Sequence, residues 1–154
     1  MSTSAFSANG QEYVTAMIGG QLFGLPILEV QDVFTVNRMT RVPLAPPEIA
    51  GLLNLRGRVV TVIDLRRRFG FDPGAGNAQR MAIGIASDGE SYGLLIDSIG
   101  EVMRLEAEAC EPVPVNLDPV LADVVSGVYR LDGRLLLVAD VRRILSIGSH
   151  ELAA

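Results

Sequence analysis

Lysine is missing: all 13 basic residues among the 154 are arginine. That excludes a Schiff-base lysine, a pyridoxal anchor and the lysine of a phosphate-binding loop. The sole histidine is His150, near the C-terminus, so no Ser-His-Asp triad, Cys-His pair or ordinary zinc site can be assembled. One cysteine, Cys110, cannot form an intrachain disulfide, which fits a reducing compartment. Basic charge is also in short supply, 13 residues against 18 acidic ones for a net −5, which argues against a surface for duplex nucleic acid. The first residues, Met1-Ser2-Thr3-Ser4-Ala5-Phe6-Ser7, lack the basic start and apolar run of a signal peptide. Apolar runs such as Leu135–Ala139 are far below the roughly 20 residues that span a bilayer. These gaps predict a cytoplasmic, non-catalytic protein with no metal, no cofactor and no direct membrane insertion.

What is present is apolar and finely divided: 49% hydrophobic residues, with 16 glycines and 8 prolines as punctuation. Tyr13–Ile18 and Leu22–Leu25 flank a Gly-Gly turn, as in a hairpin. Arg58–Ile63, Met81–Ala86, Tyr92–Ile96, Gly127–Leu131 and Arg134–Val138 read as strands on their β-branched and aliphatic content. Asp64–Phe69 and Asp140–Leu145 suit short helices, each opened by an aspartate that caps it. Pro46-Pro47-Glu48-Ile49-Ala50 suggests a third, since proline favours a first turn. Residues 1–11 read as a flexible tail, 71–79 as a linker, 106–123 as an acidic, proline-rich irregular stretch and 147–154 as a C-terminal tail. The expected division is therefore a first β-barrel subdomain over 12–75 and a second over 76–146, with exchange of strands between them left open.

The two halves repeat each other. Gly51–Phe69 over Gly127–Leu145, a shift of 76, gives eight identities in nineteen positions, among them Gly51/Gly127, Gly57/Gly133, Asp64/Asp140 and Arg66/Arg142. Phe23–Val33 over Tyr92–Val102, a shift of 69, matches more weakly. Two matches in the same order indicate a duplicated β unit. The second copy turns its hairpin with Asp132-Gly133, a favoured pair, whereas the first uses Arg56-Gly57. Arginine does nothing for a turn, so either the solvated position tolerates it or a partner requires its guanidinium.

Several motifs together resemble the CheW chemotaxis adaptors: Phe23-Gly24-Leu25-Pro26-Ile27, Val30-Gln31-Asp32-Val33, Thr40-Arg41-Val42-Pro43, Asn54-Leu55-Arg56-Gly57 and Asp64-Leu65-Arg66-Arg67-Arg68-Phe69-Gly70. The likeness runs over about residues 12–145, without the segments of the kinase CheA attached. It implies an all-β fold, two SH3-like five-stranded β-barrel subdomains packed together with short helices. It also implies an adaptor joining the cytoplasmic tip of a chemoreceptor (a methyl-accepting chemotaxis protein) to the regulatory domain of the histidine kinase CheA. Such a protein is cytoplasmic and reaches membrane receptor arrays only through protein contacts. Carried over by motif, the receptor-facing residues are Val30, Asp32, Gly51, Arg56, Gly93, Ile99 and Val102, around an apolar groove between the barrels. Val59 faces the kinase. Asp32 stands where glutamate is common in the family.

Each residue also has a plainer reading. Val30, Ile99 and Val102 suit a core; Gly51, Gly57, Gly93 and Gly133 suit backbone needs; Asp64 and Asp140 are caps. Arg66-Arg67-Arg68 reads as a solvated face and the Glu106, Glu108, Glu111 cluster as a solvated loop. The competing function is a small-ligand-binding double barrel using the groove as its pocket.

Overall fold

Tight turns set the frame. In a computed structural model describing residues 10–72 and 80–146, strands β1 (Gly10–Ile18) and β2 (Gln21–Pro26) are joined by Gly19-Gly20 alone. The same two-residue connection links β4 (Ile49–Leu55) to β5 (Arg58–Asp64), β6 (Arg80–Ser87) to β7 (Glu90–Ile96), and β9 (Val125–Leu131) to β10 (Arg134–Ala139). Strands β3 (Asp32–Val36) and β8 (Ser98–Glu106) complete the ten described strands. Gly10 and Gln11, read from sequence as tail, already belong to β1 and pair with Glu106 and Leu105. The expected tails over residues 1–9 and 147–154, His150 with them, and residues 73–79 of the expected linker lie outside the described residues.

Among the described residues helix is confined to short pieces, α1 (Leu65–Arg68), α2 (Pro119–Ala122) and α3 (residues 141–146), with single 3-10 turns at Ile27–Glu29 and Ala107–Ala109. Asp64 caps α1 by accepting from the Arg66 N–H at 3.0 Å, and Asp140 accepts from the Arg143 N–H at 3.2 Å. The helix expected at Pro46–Ala50 does not form. Ile49 pairs with Ile63 and the Asp64 N–H bonds the Glu48 carbonyl at 2.8 Å, so neighbouring strands claim that backbone and leave only a turn before β4. Conversely, α2 arises inside the stretch read as irregular, with Asp118 as cap and Pro119 in its first turn. No helix among the described residues is long and apolar enough to cross a membrane.

The strands form two five-stranded sheets, ordered β8-β1-β2-β10-β9 and β3-β6-β7-β5-β4. Replacing each strand by its counterpart five places along turns one order into the other, so the duplication is an architectural one. Each sheet takes two strands from one copy and three from the other. The copies meet at the parallel pairs β2–β10 and β5–β7 and again at the antiparallel pairs β1–β8 and β3–β6. A boundary at residues 75 and 76 therefore divides the chain but not the sheets.

Alternation along the strands gives each sheet two apolar faces. One face of each fills its own barrel: Tyr13, Leu22, Tyr129, Leu136 and Val138 in the first sheet, Val60, Val62, Ala82 and Leu95 in the second. The other faces meet in the largest core, where Phe23, Leu25, Ile83, Ile85, Leu94, Ile96 and Leu137 are fully buried. Each such side chain contributes about 1.5–3 kcal/mol on leaving water.

A candidate protein-binding surface

The β4–β5 turn presents its arginine at a conformational cost. Arg56 has φ 52° and Gly57 φ 83°, while Asp132 at the equivalent turn keeps a negative φ. An L-residue in the left-handed region costs about 1 kcal/mol, so the weaker turn former occupies the more demanding site. The Asn54 side-chain oxygen accepts from the Gly57 N–H at 3.0 Å and steadies the loop. The Arg56 side chain is 73% exposed and donates to the Asp32 carboxylate at 3.1 Å. Two of the residues assigned to receptor binding thus pair with each other across the mouth of the second barrel. The pocket they line with Phe34, Arg58, Ser91 and Tyr92 is only about 180 Å³, below the roughly 300 Å³ at which small-molecule sites begin. Burial, reinforced by Glu90 and Asp88, raises the Tyr92 pKa and keeps that phenol neutral.

Asp32, Gly84, Gly93, Val62 and Gly51 form one continuous row across β3, β6, β7, β5 and β4. The glycines of this row make room. A Cβ on Gly51 would lie 2.7 Å from the Thr40 carbonyl oxygen, and one on Gly93 would lie 3.1 Å from the Phe34 ring. The duplicate supplies a control: a Cβ on Gly127, counterpart of Gly51, would lie 2.7 Å from the Cys110 sulfur. Both glycines let a long connection close over the hairpin beside a bulge, through the Thr40–Leu52 and Glu111–Val128 bridges. Close packing accounts for them without a partner.

Val30 and its counterpart Ile99 are partly buried against the interlayer core. Val102 on edge strand β8 is 50% exposed and Val59 on β5 is 63% exposed. The space between the barrels, expected as an open apolar groove, is largely filled by the molecule's own side chains, because each sheet has a second apolar face that must be covered. Leu28, Val33 and Val102 are among the apolar residues that remain exposed. The structure thus brings Asp32 and Arg56 together, leaves Val59 and Val102 open to solvent, and sets Gly51 and Gly93 inside the sheet.

An ionic cluster escaped the sequence reading. Arg66, expected on a solvated face, grips Asp97 through its Nε at 2.8 Å and an Nη at 2.7 Å. Arg80 approaches both Asp97 and Asp64, and the Gly19 N–H donates to Asp97 at 2.8 Å. Burial opposes ionisation of Asp97, but the Arg66 bonds, the Gly19 N–H and the charges of Arg66 and Arg80 outweigh it and hold its pKa below the usual carboxylate range. The Asp97 bond in turn raises the Arg66 pKa despite partial burial. Arg68 is partly buried and donates to the Arg143 and Ile144 carbonyls at the end of α3. The repeat held the missed signal, because Asp97 stands where the first copy has Leu28. Cys110 is a free, exposed thiol, and Glu111 bonds Arg130 at 3.0 Å.

The CheW-like domain family model matches residues 12–148. The chain is 30% identical over 145 residues to the chemotaxis protein CheW of Klebsiella aerogenes, covering 94% of this chain and 86% of that protein. It is 26% identical over 144 residues to CheW of Bacillus subtilis, covering 94% and 92% respectively. The crystal structure of the scaffolding protein TtCheW from Thermoanaerobacter tengcongensis superposes with a TM-score of 0.76 at 28% identity, over 84% of this chain and 83% of that one. That agreement, with the duplicated sheets and short helices described above, identifies the two sheets as the paired five-stranded barrels of this fold. The chain belongs to the CheW family of chemotaxis proteins.

Proposed function

We propose that the protein is a chemotaxis signalling adaptor that couples the cytoplasmic tip of a chemoreceptor to the histidine kinase CheA by binding both at once. The observation that carries this reading is Arg56, an exposed guanidinium held on a rigid turn at φ 52°, a conformation its own side chain disfavours. The turn itself asks for a positive φ, as Asp88 at φ 53° in the β6–β7 turn shows, and an arginine in place of the asparagine, aspartate or glycine that suits such a turn points to a role outside it. Asp32 beside it offers the opposite charge, so a receptor helix meets both signs, 3.1 Å apart. Val102 adds apolar contact area on the receptor side, and Val59, outward on β5, offers a separate contact for the kinase. Charged groups of this kind set register and specificity while apolar neighbours contribute area. Holding receptor and kinase on one body raises their effective concentration and lets receptor state bias kinase activity without any covalent chemistry by the adaptor.

Co-sedimentation with receptor-containing membranes, with and without CheA, tests the reading. Wild type co-sediments with the membranes and increases the CheA recovered with them; Arg56→Ala does so weakly while its melting temperature stays within about 2 °C. Equal recovery of wild type and Arg56→Ala would remove Arg56 from the receptor contact.

A further inference from the structure

The duplication makes the molecule its own reference. Under the two shifts of the repeat, Arg142 corresponds to Arg66, Asp140 to Asp64 and Leu28 to Asp97. In one place the arginine and the aspartate form a two-pronged ion pair that closes the space beside α1. In the other, Leu28 stands where the carboxylate would be and is 92% exposed. The Arg142 side chain makes no hydrogen bond or ion pair among the described residues. Between them lies a cleft of about 550 Å³, lined by Leu28, Glu29, Gln31, Ser87, Val141 and Arg142 among others. Asp140 is already engaged by the α3 backbone and by Arg143 at 3.5 Å. Glu29 lies on the same turn as Leu28 and forms no ion pair with Arg142. The cleft therefore has the cation and the room of the Arg66–Asp97 pair, with Leu28 at the position of that pair's carboxylate.

We propose that this cleft receives a carboxylate side chain from the receptor helix, with Arg142 as its cation and Leu28 as the apolar contact beside it. The inference rests on the receptor reading given above. Continuity selects this occupant: Gln31 lines both this cleft and the pocket of Asp32 and Arg56, so a single segment lying against Arg56 extends into it. A planar guanidinium suits a carboxylate, since its paired N–H donors match two oxygens, as Arg66 demonstrates on Asp97. Arg142 stays hydrated until the partner arrives, so leaving it unpaired destabilises nothing in the free protein.

Co-sedimentation of the full chain with receptor-containing membranes tests this with three variants. Arg142→Glu reverses the cation. Leu28→Asp rebuilds in this copy the pair found in the other and occupies Arg142 from within. Arg134→Glu makes the same charge change on the exposed β9–β10 turn, away from the cleft. The first two weaken receptor binding by about tenfold or more, as loss of an interfacial charge pair does. Arg134→Glu stays within about twofold, and the melting temperature of Arg142→Glu matches wild type. If wild type binds receptors and Arg142→Glu binds equally well, the cleft is not part of the contact while the adaptor reading stands. If Arg142→Glu and Arg134→Glu weaken binding alike, bulk charge is the cause and the inference falls. A lowered melting temperature in Arg142→Glu shows that the arginine is bonded within its own chain, with the same consequence. If wild type binds no receptor membrane, both readings fall together.

Discussion

Replacing Asp97 by asparagine isolates the charge of the cluster that ties α1 to the β7–β8 junction. The shape is kept and one acceptor oxygen remains, so the loss is electrostatic. The arginine bonds of 2.8 and 2.7 Å fall on different oxygens, so one changes from charge-assisted to neutral and the other is lost to the amide NH2, which cannot accept from the guanidinium, at about 1 kcal/mol each. Arg66 and Asp97 are about one-quarter exposed, so some of that is screened and the expected loss is about 1–2 kcal/mol at pH 7. For a chain of this size that corresponds to a fall in melting temperature of about 2–8 °C. The pH dependence carries the sharper signature. The folded pKa of Asp97 is depressed, so its contribution is fully present above the unfolded value of about 3.9 and is lost as pH falls through the lower folded value. Asparagine does not titrate. The gap between wild type and Asp97→Asn is therefore constant from pH 7 to about 5 and closes below about 4. Denaturant titrations of both proteins at a series of pH values measure it, and taking the difference removes the shared titration of other carboxylates. A gap that persists unchanged down to pH 3, or one absent at pH 7, refutes the argument.

Further expectations concern the turns and cores. Arg56→Gly relieves the left-handed strain but loses an exposed ion pair and gains unfolded-chain freedom, so urea denaturation places it within about 0.5 kcal/mol of wild type and no less stable than Arg56→Ala, while receptor capture falls in both. Gly51→Ala and Gly127→Ala each cost about 1–3 kcal/mol in the same assay, because the new Cβ meets Thr40 or Cys110 at 2.7 Å; wild-type stability in either would contradict the packing role. The Tyr13 and Tyr129 hydroxyls approach to 3.4 Å inside the first barrel, where burial first and the Tyr13 bond second push the Tyr129 phenol well above its ordinary pKa. Tyr129→Phe is expected to cost about 1–2 kcal/mol by stranding the Tyr13 hydroxyl, with much of the loss recovered in the double Phe variant; additive losses in a double-mutant cycle would refute this.

Local chemistry wrote most of the strands and turns into the sequence. Asp132-Gly133 and Gly19-Gly20 mark hairpins because few residues accept those turns, and Asp64 and Asp140 mark helix starts because a side-chain oxygen satisfies free N–H groups. Pairing between distant strands leaves no such trace. The β2–β10 contact joins residues more than a hundred apart, and nothing in either segment names the other. Ile49 shows the same limit from the other side, where Pro46 and Pro47 signal a helix start and the pairing of Ile49 with Ile63 overrides it. At the binding surface, Arg56 was legible because it is wrong for its turn. The role of Arg66 was not, since its partner lies 31 residues away.

The exchange of strands between the two sheets has a consequence for how the chain acquires its shape. Neither half owns a complete sheet, so a fragment ending near residue 75 exposes apolar faces and unpaired edges until the rest arrives. During synthesis the first sheet cannot close before Ala139 has left the ribosome, which makes folding nearly all-or-none for the whole polypeptide. A lone copy of the repeat could satisfy its strands only by embracing a twin. Joining the two in one chain turns that bimolecular encounter into an intramolecular one, independent of protein concentration.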